Sequence, residues 1–367
     1  MIFTAKKSQI ADSLQNAAAI AERRQTIPIL ANIKIKTARD QIVITATDLE
    51  VQLQATISEI AVEEEGEITV SARKMSELCR SLPENQNLKF ELLNGKLHVS
   101  SSNFNADFAT LSANDFPELE VNYERGSLSA SSSLIKRLLT KTSFSMASQD
   151  VRYYLNGLLL EFTKEGVKAV ATDGHRLSVA NSEKLDYTGE DLKYILPRKA
   201  VLELSKILSS DDEMVEILFS DAHLTIKKPN LIFSSKLIDG KFPDYEKVFP
   251  SGQENALIID KAVLQSALSR SSVLSNEKYR GVRFTLSVNN LKLTANNPEQ
   301  EMAEEELEVI FSGGPLEIGF NIGYLLDVLN VIETDKIEML FYGEESSCLL
   351  REPGSTTETY VIMPMRL

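Results

Sequence analysis

The 367-residue chain is short of the residues that build metal centres and disulfide frameworks. It holds two cysteines, Cys79 and Cys348, far apart in sequence, and three histidines, His98, His175 and His223. Two such cysteines exclude a disulfide scaffold and a cysteine-based zinc site. Three scattered histidines leave little for a His-rich metal centre, so neither a metal nor another cofactor is expected. No apolar run approaches the roughly 20 residues that span a bilayer. The opening segment, in which Lys6 and Lys7 lead into a polar helix-like stretch, does not read as a signal peptide. A soluble, cytoplasmic protein with no membrane partner is the expectation. Positive charge is scarce as well: 39 Lys and Arg against 53 Asp and Glu leave a net charge of −14. That balance argues against gripping nucleic acid by bulk attraction, which needs many cation–phosphate contacts. Glycine-rich phosphate loops are missing too, with neither GxxxxGK[ST] nor GxGxxG after a strand.

What is present is ordinary globular composition, 43% hydrophobic and 25% charged, arranged as a threefold internal repeat. The segments NIKIKTARDQIVITATDLEVQLQA from Asn32, NGLLLEFTKEGVKAVATDGHRLSVA from Asn156 and GVRFTLSVNNLKLTANNPEQEMAE from Gly281 share one layout. Each reads strand, polar turn, strand, polar pair and a further alternating run. The pairs Thr47-Asp48, Thr172-Asp173 and Asn296-Asn297 are offset by 125 and 124 residues. A second marker, a strand running into an amphipathic helix at Ala72, Pro197 and Asn321, has the same two offsets. FPEL at Phe116 and FPDY at Phe242 close the first two repeats. Three domains of one fold are therefore expected, 1–123, 124–250 and 251–367, with net charges of −5, 0 and −9.

Within each repeat the periodicity predicts a first helix (Ile10–Ala21, Leu134–Phe144, Val263–Leu274) and a second in mid-repeat, which in the first repeat buries Met75, Leu78, Cys79 and Leu82. Period-two alternation, as in Ile33 and Ile35 between Lys34 and Lys36, predicts strands. Two helices among antiparallel strands make each repeat an α+β domain with its helices on one side of the sheets.

Most candidate chemistry fails on inspection. Asp173 and His175 in ATDGHR invite an acid/base reading, but the same slot holds Asp48-Leu49-Glu50 and Asn297-Pro298-Glu299, with no histidine. A turn after a strand explains Asp-Gly, and no catalytic residue is assigned. The acidic run from Glu299 to Glu308 lacks EF-hand spacing and reads as a solvated or interface strand. Basic residues recur on or beside the helices: Arg23, Arg24, Arg73, Lys74, Arg80, Lys136, Arg137, Lys141, Arg198, Lys199 and Lys206. They are either a solvated face or one basic surface in an acidic protein, with Gln149, Arg152, Tyr153 and Tyr154 beside it to bond or stack on nucleic acid. The apolar tail Tyr360–Leu367, with its Met-Pro-Met, is either a last core strand or a docked segment of an adaptable pocket.

Taken together, PILANI at Pro28, TDLE at Thr47, FSMASQDVRYYLNG at Phe144, ATDGHRL at Ala171, PRKAV at Pro197, SKLIDGKFPDY at Ser235, LSNEKYRGVR at Leu274, TANNPEQE at Thr294 and the terminal VIMPMRL resemble the bacterial replicative sliding clamps, the β subunits of DNA polymerase III. The resemblance covers all three repeats in order. It implies a non-enzymatic processivity factor: a head-to-tail homodimer whose six domains form a ring, helices lining a basic hole and sheets outside. Double-stranded DNA without sequence specificity, the polymerase catalytic subunit, the clamp loader and other proteins with clamp-binding peptides are the implied partners. Implied DNA-facing residues are Arg24, Arg73, Arg80, Gln149, Tyr153, Tyr154, Arg198 and Lys199. The implied peptide pocket uses Leu155, Thr172, Gly174, His175, Arg176, Leu177, Pro243, Val248, Ser347, Val361, Met363, Pro364, Met365 and Arg366; Lys247 stands at its rim where relatives can carry arginine. The implied dimer contact pairs Ala106 and Phe108 with Val273 and Leu274, beside Glu299, Glu301 and Glu305. Here the chain departs from the family pattern: Ala106 replaces a usual aromatic, and Asn103 and Asn105 stand where relatives can carry arginines. Two other readings stay open on sequence, a peptide-binding hub that does not encircle DNA and an enzyme acting through Asp173 and His175.

Overall fold

The computed structural model describes residues 1–21, 27–121 and 123–366. Among them lie six helices in three pairs: α1 (Lys7–Ile20) and α2 (Ala72–Ser81), α3 (Ser132–Thr142) and α4 (Arg198–Ile207), α5 (Lys261–Val273) and α6 (Ile322–Val331). The first helix of each pair starts two or three residues before its apolar periodicity does. Polar side chains take the first-turn N–H groups, which a hydrophobic pattern does not register. Ser131 Oγ accepts from Leu134 N at 3.2 Å, and Asp260 Oδ1 accepts from Val263 N at 3.0 Å. Two of the second helices are capped in the same way, Ser71 Oγ accepting from Lys74 N at 3.4 Å on α2 and Asn321 Oδ1 from Tyr324 N at 3.3 Å on α6. On α2, Met75 and Cys79 are buried as expected, while Leu78 and Leu82 are half-buried.

The chain divides into two compact units, residues 1–136 with 199–237 and residues 137–198 with 238–367. The division follows the sheets, because the middle repeat shares a sheet with each neighbour. In the first unit, thirteen strands form one antiparallel sheet in which Leu231–Lys236 of the middle repeat pairs with Val51–Ile57 of the first, Ser235 opposite Val51. The predicted alternation is seen there: Ile33, Ile35, Ile42 and Ile44 are buried, and Lys34 turns out to pair with Glu67 and Glu118.

In the second unit a nine-stranded antiparallel sheet crosses the next repeat border. Arg176–Asn181 pairs with Glu358–Ile362, Leu177 opposite Val361. A separate four-stranded sheet runs Met302–Glu308, Asn290–Asn296, Gly281–Ser287, Leu316–Asn321. Phe284, Phe320 and Phe341 interlock in the core of this unit, the first two edge to face with centroids 5.3 Å apart. Gly157 is required by close strand approach: a Cβ there would lie 2.7 Å from the Leu196 carbonyl oxygen.

Candidate functional site

The paired strands Arg176–Asn181 and Glu358–Ile362, with the turn that precedes the first and the tail that follows the second, carry most of the expected pocket. Leu177 and Val361 lie in register on one face and join Leu159, Val170, Val179, Ile195, Phe242 and Tyr245 in an apolar cluster, with Tyr154 and Val248 half-buried against it. The ladder continues past the strand end, Met363 N donating to the His175 carbonyl at 3.0 Å, and Met365 N donates to the Gly319 carbonyl at 2.9 Å. The apolar tail is thus a core strand up to Ile362, followed by a half-buried Met363-Pro364-Met365 docked by backbone bonds. The core-strand reading thus describes the first part of the tail, and the rest is held against the chain by those two backbone bonds. Ser347 precedes the strand Cys348–Arg351, whose Cys348 faces Ile362, so Ser347 and Met363 leave the same end of that pair. Leu155 is buried, Pro243 exposed, and Arg366 almost fully exposed with only a 3.6 Å contact to Glu345. Lys247 pairs with Asp244 at 2.8 Å and is 81% exposed.

The ATDGHR turn is a bracketed turn and not an acid/base pair. Asp173 Oδ1 accepts from His175 N at 2.9 Å and Arg176 N at 3.1 Å, so this carboxylate addresses backbone, and not the exposed imidazole. Thr172 Oγ1 donates to the Arg176 carbonyl at 2.6 Å and accepts from Gly174 N at 3.1 Å. Gly174 has φ +90°, and a Cβ there would approach the Arg152 guanidinium at 3.1 Å. Arg152 in turn pairs with Asp150, holding that carboxyl down to about 2.

Arg176 differs most from expectation. Its side chain is 11% exposed and committed within the chain. Nε donates to Asp173 Oδ2 at 3.0 Å, Nη1 to Asp327 Oδ2 at 2.6 Å, and Nη2 to the Phe144 carbonyl at 2.7 Å. The guanidinium also lies over the rings of Tyr324 (4.4 Å) and Phe144 (5.5 Å). Sequence reasoning missed Phe144, Tyr324 and Asp327; nothing in the local pattern marks them as one residue's partners, the first 32 positions away and Asp327 151.

The basic residues separate into free and engaged groups. Arg73 and Arg80 of α2 are exposed, Arg73 only 3.6 Å from its i+4 neighbour Glu77. Gln149 is exposed and Tyr153 is 57% exposed, but Tyr154 is half-buried against the apolar cluster. Lys199 donates to the Ile20 carbonyl at 2.7 Å and pairs with Asp48, and Arg198 donates to the Met146 carbonyl at 3.0 Å. Arg137 binds Glu358 and the Asn181 carbonyl. Lys141, expected on the polar side of its helix, is 6% exposed, with its Nζ bonded to the Val331 carbonyl and 2.8 Å from Glu333. A long apolar stem with a cationic tip suits such bridges. Arg23 and Arg24 lie outside the described residues.

At the expected dimer contact, Ala106, Phe108 and Leu274 are half-buried, and Val273 is 77% exposed. Glu299 and Glu301 are exposed, Glu301 Oε2 accepting from Asn297 Nδ2 at 2.6 Å. Glu305 is taken by a bidentate contact with Arg270, which lowers its pKa below the usual carboxylate value. Among the described residues no group of three metal-ligating side chains is present, and no helix is long and apolar enough to cross a membrane.

Comparison with known proteins gives a single answer over the whole length. Three family models match in order: the N-terminal domain of the DNA polymerase III beta subunit at residues 1–120, its central domain at 129–244 and its C-terminal domain at 246–366. The beta sliding clamp of Pseudomonas putida is 43% identical over 367 residues, and that of Escherichia coli K12 40%, with all of both chains covered in each case. The crystal structure of the DNA polymerase III subunit beta from Pseudomonas aeruginosa superposes with a TM-score of 0.95 at 43% identity, covering 100% of each chain. A Pseudomonas aeruginosa sliding clamp bound to griselimycin gives 0.96 at the same identity. With its three α+β repeats, the chain belongs to the DNA polymerase III beta subunit family, the beta sliding clamps, which are processivity factors and not catalysts.

Proposed function

We propose that two copies of the chain close head to tail into a ring around duplex DNA, with repeats 1–123, 124–250 and 251–367 as its six domains. One observation carries this reading. Each repeat border within the chain is an antiparallel ladder, Val51–Ile57 with Leu231–Lys236 and Arg176–Asn181 with Glu358–Ile362. The counterpart strand of the third repeat, Met302–Glu308, is a sheet edge. Phe104–Leu111 of the first repeat, counterpart of Leu231–Lys236, pairs on its second side only at Thr110 and Leu111. Open edges are templates for further pairing, and a second copy supplies both missing partners.

The repeats also supply a register. Glu301 follows its turn as Val51 and Arg176 follow theirs, since Asn296–Met302, Thr47–Gln52 and Thr172–Leu177 are the flanking pairs. Phe108 matches Ser235 when the two tight hairpins, closed by Ser101–Phe104 and Lys228–Leu231, are aligned. Glu301 of one copy then lies opposite Phe108 of the other, and Glu304 opposite Asn105. Lys74, at the position of Lys199, then faces Asn297, the counterpart of Asp48, whose side-chain amide already holds Glu301. Exposed pairs contribute roughly 0–1 kcal/mol each, so asparagine at 103 and 105 weakens the contact without abolishing it.

Arg73, Arg80, Gln149, Tyr153 and Arg198, with Lys199 and Tyr154 in supporting places, face DNA and touch phosphates and not base edges, as a sliding protein requires. Enclosure holds the DNA, so a net negative protein can slide without strong attraction. The apolar face at Leu177 and Val361, rimmed by Pro243, Val248, His175 and Met363, takes extended peptides of the polymerase catalytic subunit, clamp loader and other DNA-processing proteins. The site of action is the bacterial cytoplasm. The test is retention on nicked circular DNA after loading by a bacterial clamp loader with ATP. At high salt, retention on circles with release after linearisation is expected, since ionic contacts are screened. Equal loss from both, with a control clamp retained, would leave a peptide-binding hub.

A further inference from the structure

We infer that Tyr245 and Glu161 form a latch that positions the 239–250 segment over the nine-stranded sheet and thereby sets the affinity for docked peptides. The inference rests on the peptide-docking reading and names its positioning residues.

The 239–250 segment carries Pro243 and Val248, one wall of the pocket, yet it has little structure of its own. Its regular element is a four-residue 3-10 turn, Tyr245–Val248. Its internal ties are Phe249 N to the Glu246 carbonyl at 3.3 Å and the exposed Asp244–Lys247 pair. Ile238 N, just before it, donates to the Ile195 carbonyl at 2.9 Å. Among the described residues, the one side-chain hydrogen bond that joins the segment to the sheet runs from the Tyr245 hydroxyl to Glu161 Oε2, at 3.0 Å.

Glu161 is built for that role. It lies on the strand Gly157–Thr163, 6% exposed, on the face that carries Leu159 two residues earlier. An unpaired carboxylate there would be costly. The register supplies its pairing, with Lys168 and Lys193 directly opposite on the two flanking strands. Lys193 Nζ is 2.6 Å from Oε1 and Lys168 Nζ 4.0 Å from Oε2. A charged row Lys168–Glu161–Lys193 thus runs beside the apolar row Val170–Leu159–Ile195. Lys168 also lies 5.9 Å from the Tyr245 ring centre. Burial and the adjacent carboxylate push the Tyr245 phenol above its ordinary pKa, so its O–H stays a donor. A cavity of about 440 Å³ lined by Leu159, Glu161, Lys193, Ile195, Phe242 and Tyr245 separates segment and sheet here. Phe242 and Tyr245 pack on the sheet beside this cavity, and the hydrogen bond adds the directional tie that apolar packing alone does not give.

The test uses the full chain and a fluorescein-labelled peptide selected by display on wild type, verified to lose binding to Met363→Glu. Anisotropy titrations compare Tyr245→Phe, Glu161→Leu and Glu161→Gln, each alongside its Tm and solution mass. Tyr245→Phe and Glu161→Leu are expected to weaken binding about tenfold or more, the scale of one charge-assisted hydrogen bond. Glu161→Gln, whose amide oxygen still accepts from the phenol, should stay within about twofold of wild type. Wild-type affinity in both Tyr245→Phe and Glu161→Leu overturns the latch while the pocket stands. Losses in all three that track a falling Tm overturn it as well, reducing the pair to fold maintenance. A peptide that fails to bind wild type, or ignores Met363→Glu, overturns the docking reading itself.

Discussion

Replacing Arg176 by alanine separates two roles that sequence cannot tell apart, a peptide contact and an internal strut. In the structure the guanidinium makes three charge-assisted hydrogen bonds and lies over two aromatic rings. Bonds to charged groups contribute about 1.5–3 kcal/mol each in isolation, but they are not additive. Asp327 is 43% exposed and regains water when its partner goes, so its share is small. Asp173 is 16% exposed and keeps its two backbone N–H donors, which limits its penalty. The Phe144 carbonyl loses the Arg176 donor and the ring pair loses its cation, leaving a net cost of about 2–4 kcal/mol. For a unit of this size each kcal/mol moves Tm by about 2–4 °C, so differential scanning calorimetry should show a fall of about 4–16 °C. Arg176→Lys, which keeps charge but not the planar fork, should recover less than half of that. An Arg176→Ala chain with unchanged Tm and weakened peptide binding would refute the strut argument.

Four further outcomes follow from particular contacts. Lys141→Ala should lower Tm, since Lys141 supports the Val331 carbonyl and Glu333, yet leave retention on circular DNA unchanged; the double variant Arg73→Ala with Arg80→Ala should do the reverse, read by the same two assays. Oxidation of an Asn105→Cys, Glu304→Cys double variant should give a covalent dimer on non-reducing gels, and the two single variants should give far less. His223, with Lys236 nearby, is held below its ordinary pKa by burial and has an unpartnered buried Nε2. Its neutral form therefore adds stability that is present above about pH 6.5 and is lost as pH falls below it, so His223→Gln should flatten the drop in Tm between about pH 7 and 5.5. Gly157→Ala, forcing a Cβ onto the Leu196 carbonyl oxygen, should cost about 2–3 kcal/mol in urea unfolding.

The sequence by itself determined the local and the periodic. Three repeats, two helices in each and alternating strands follow from spacing, because apolar periodicity and turn chemistry act over a few residues. The helix starts came out two or three residues late, since capping side chains carry that information. The family resemblance brought the pocket residues to notice, and Leu177 with Val361 proved to be cross-strand neighbours. What tertiary structure alone decided is which polar groups are spent. Lys141, Arg137 and Lys199 look like a free basic face along a helix, but acceptors on distant segments claim them. Arg176 becomes a strut because Asp327, Tyr324 and the Phe144 carbonyl converge on it from positions no spacing rule connects. Glu161 reads as one more strand carboxylate until Tyr245 closes on it from 84 residues away. A side chain's chemistry is written in its own letter, whereas its partner is chosen by the path of the chain.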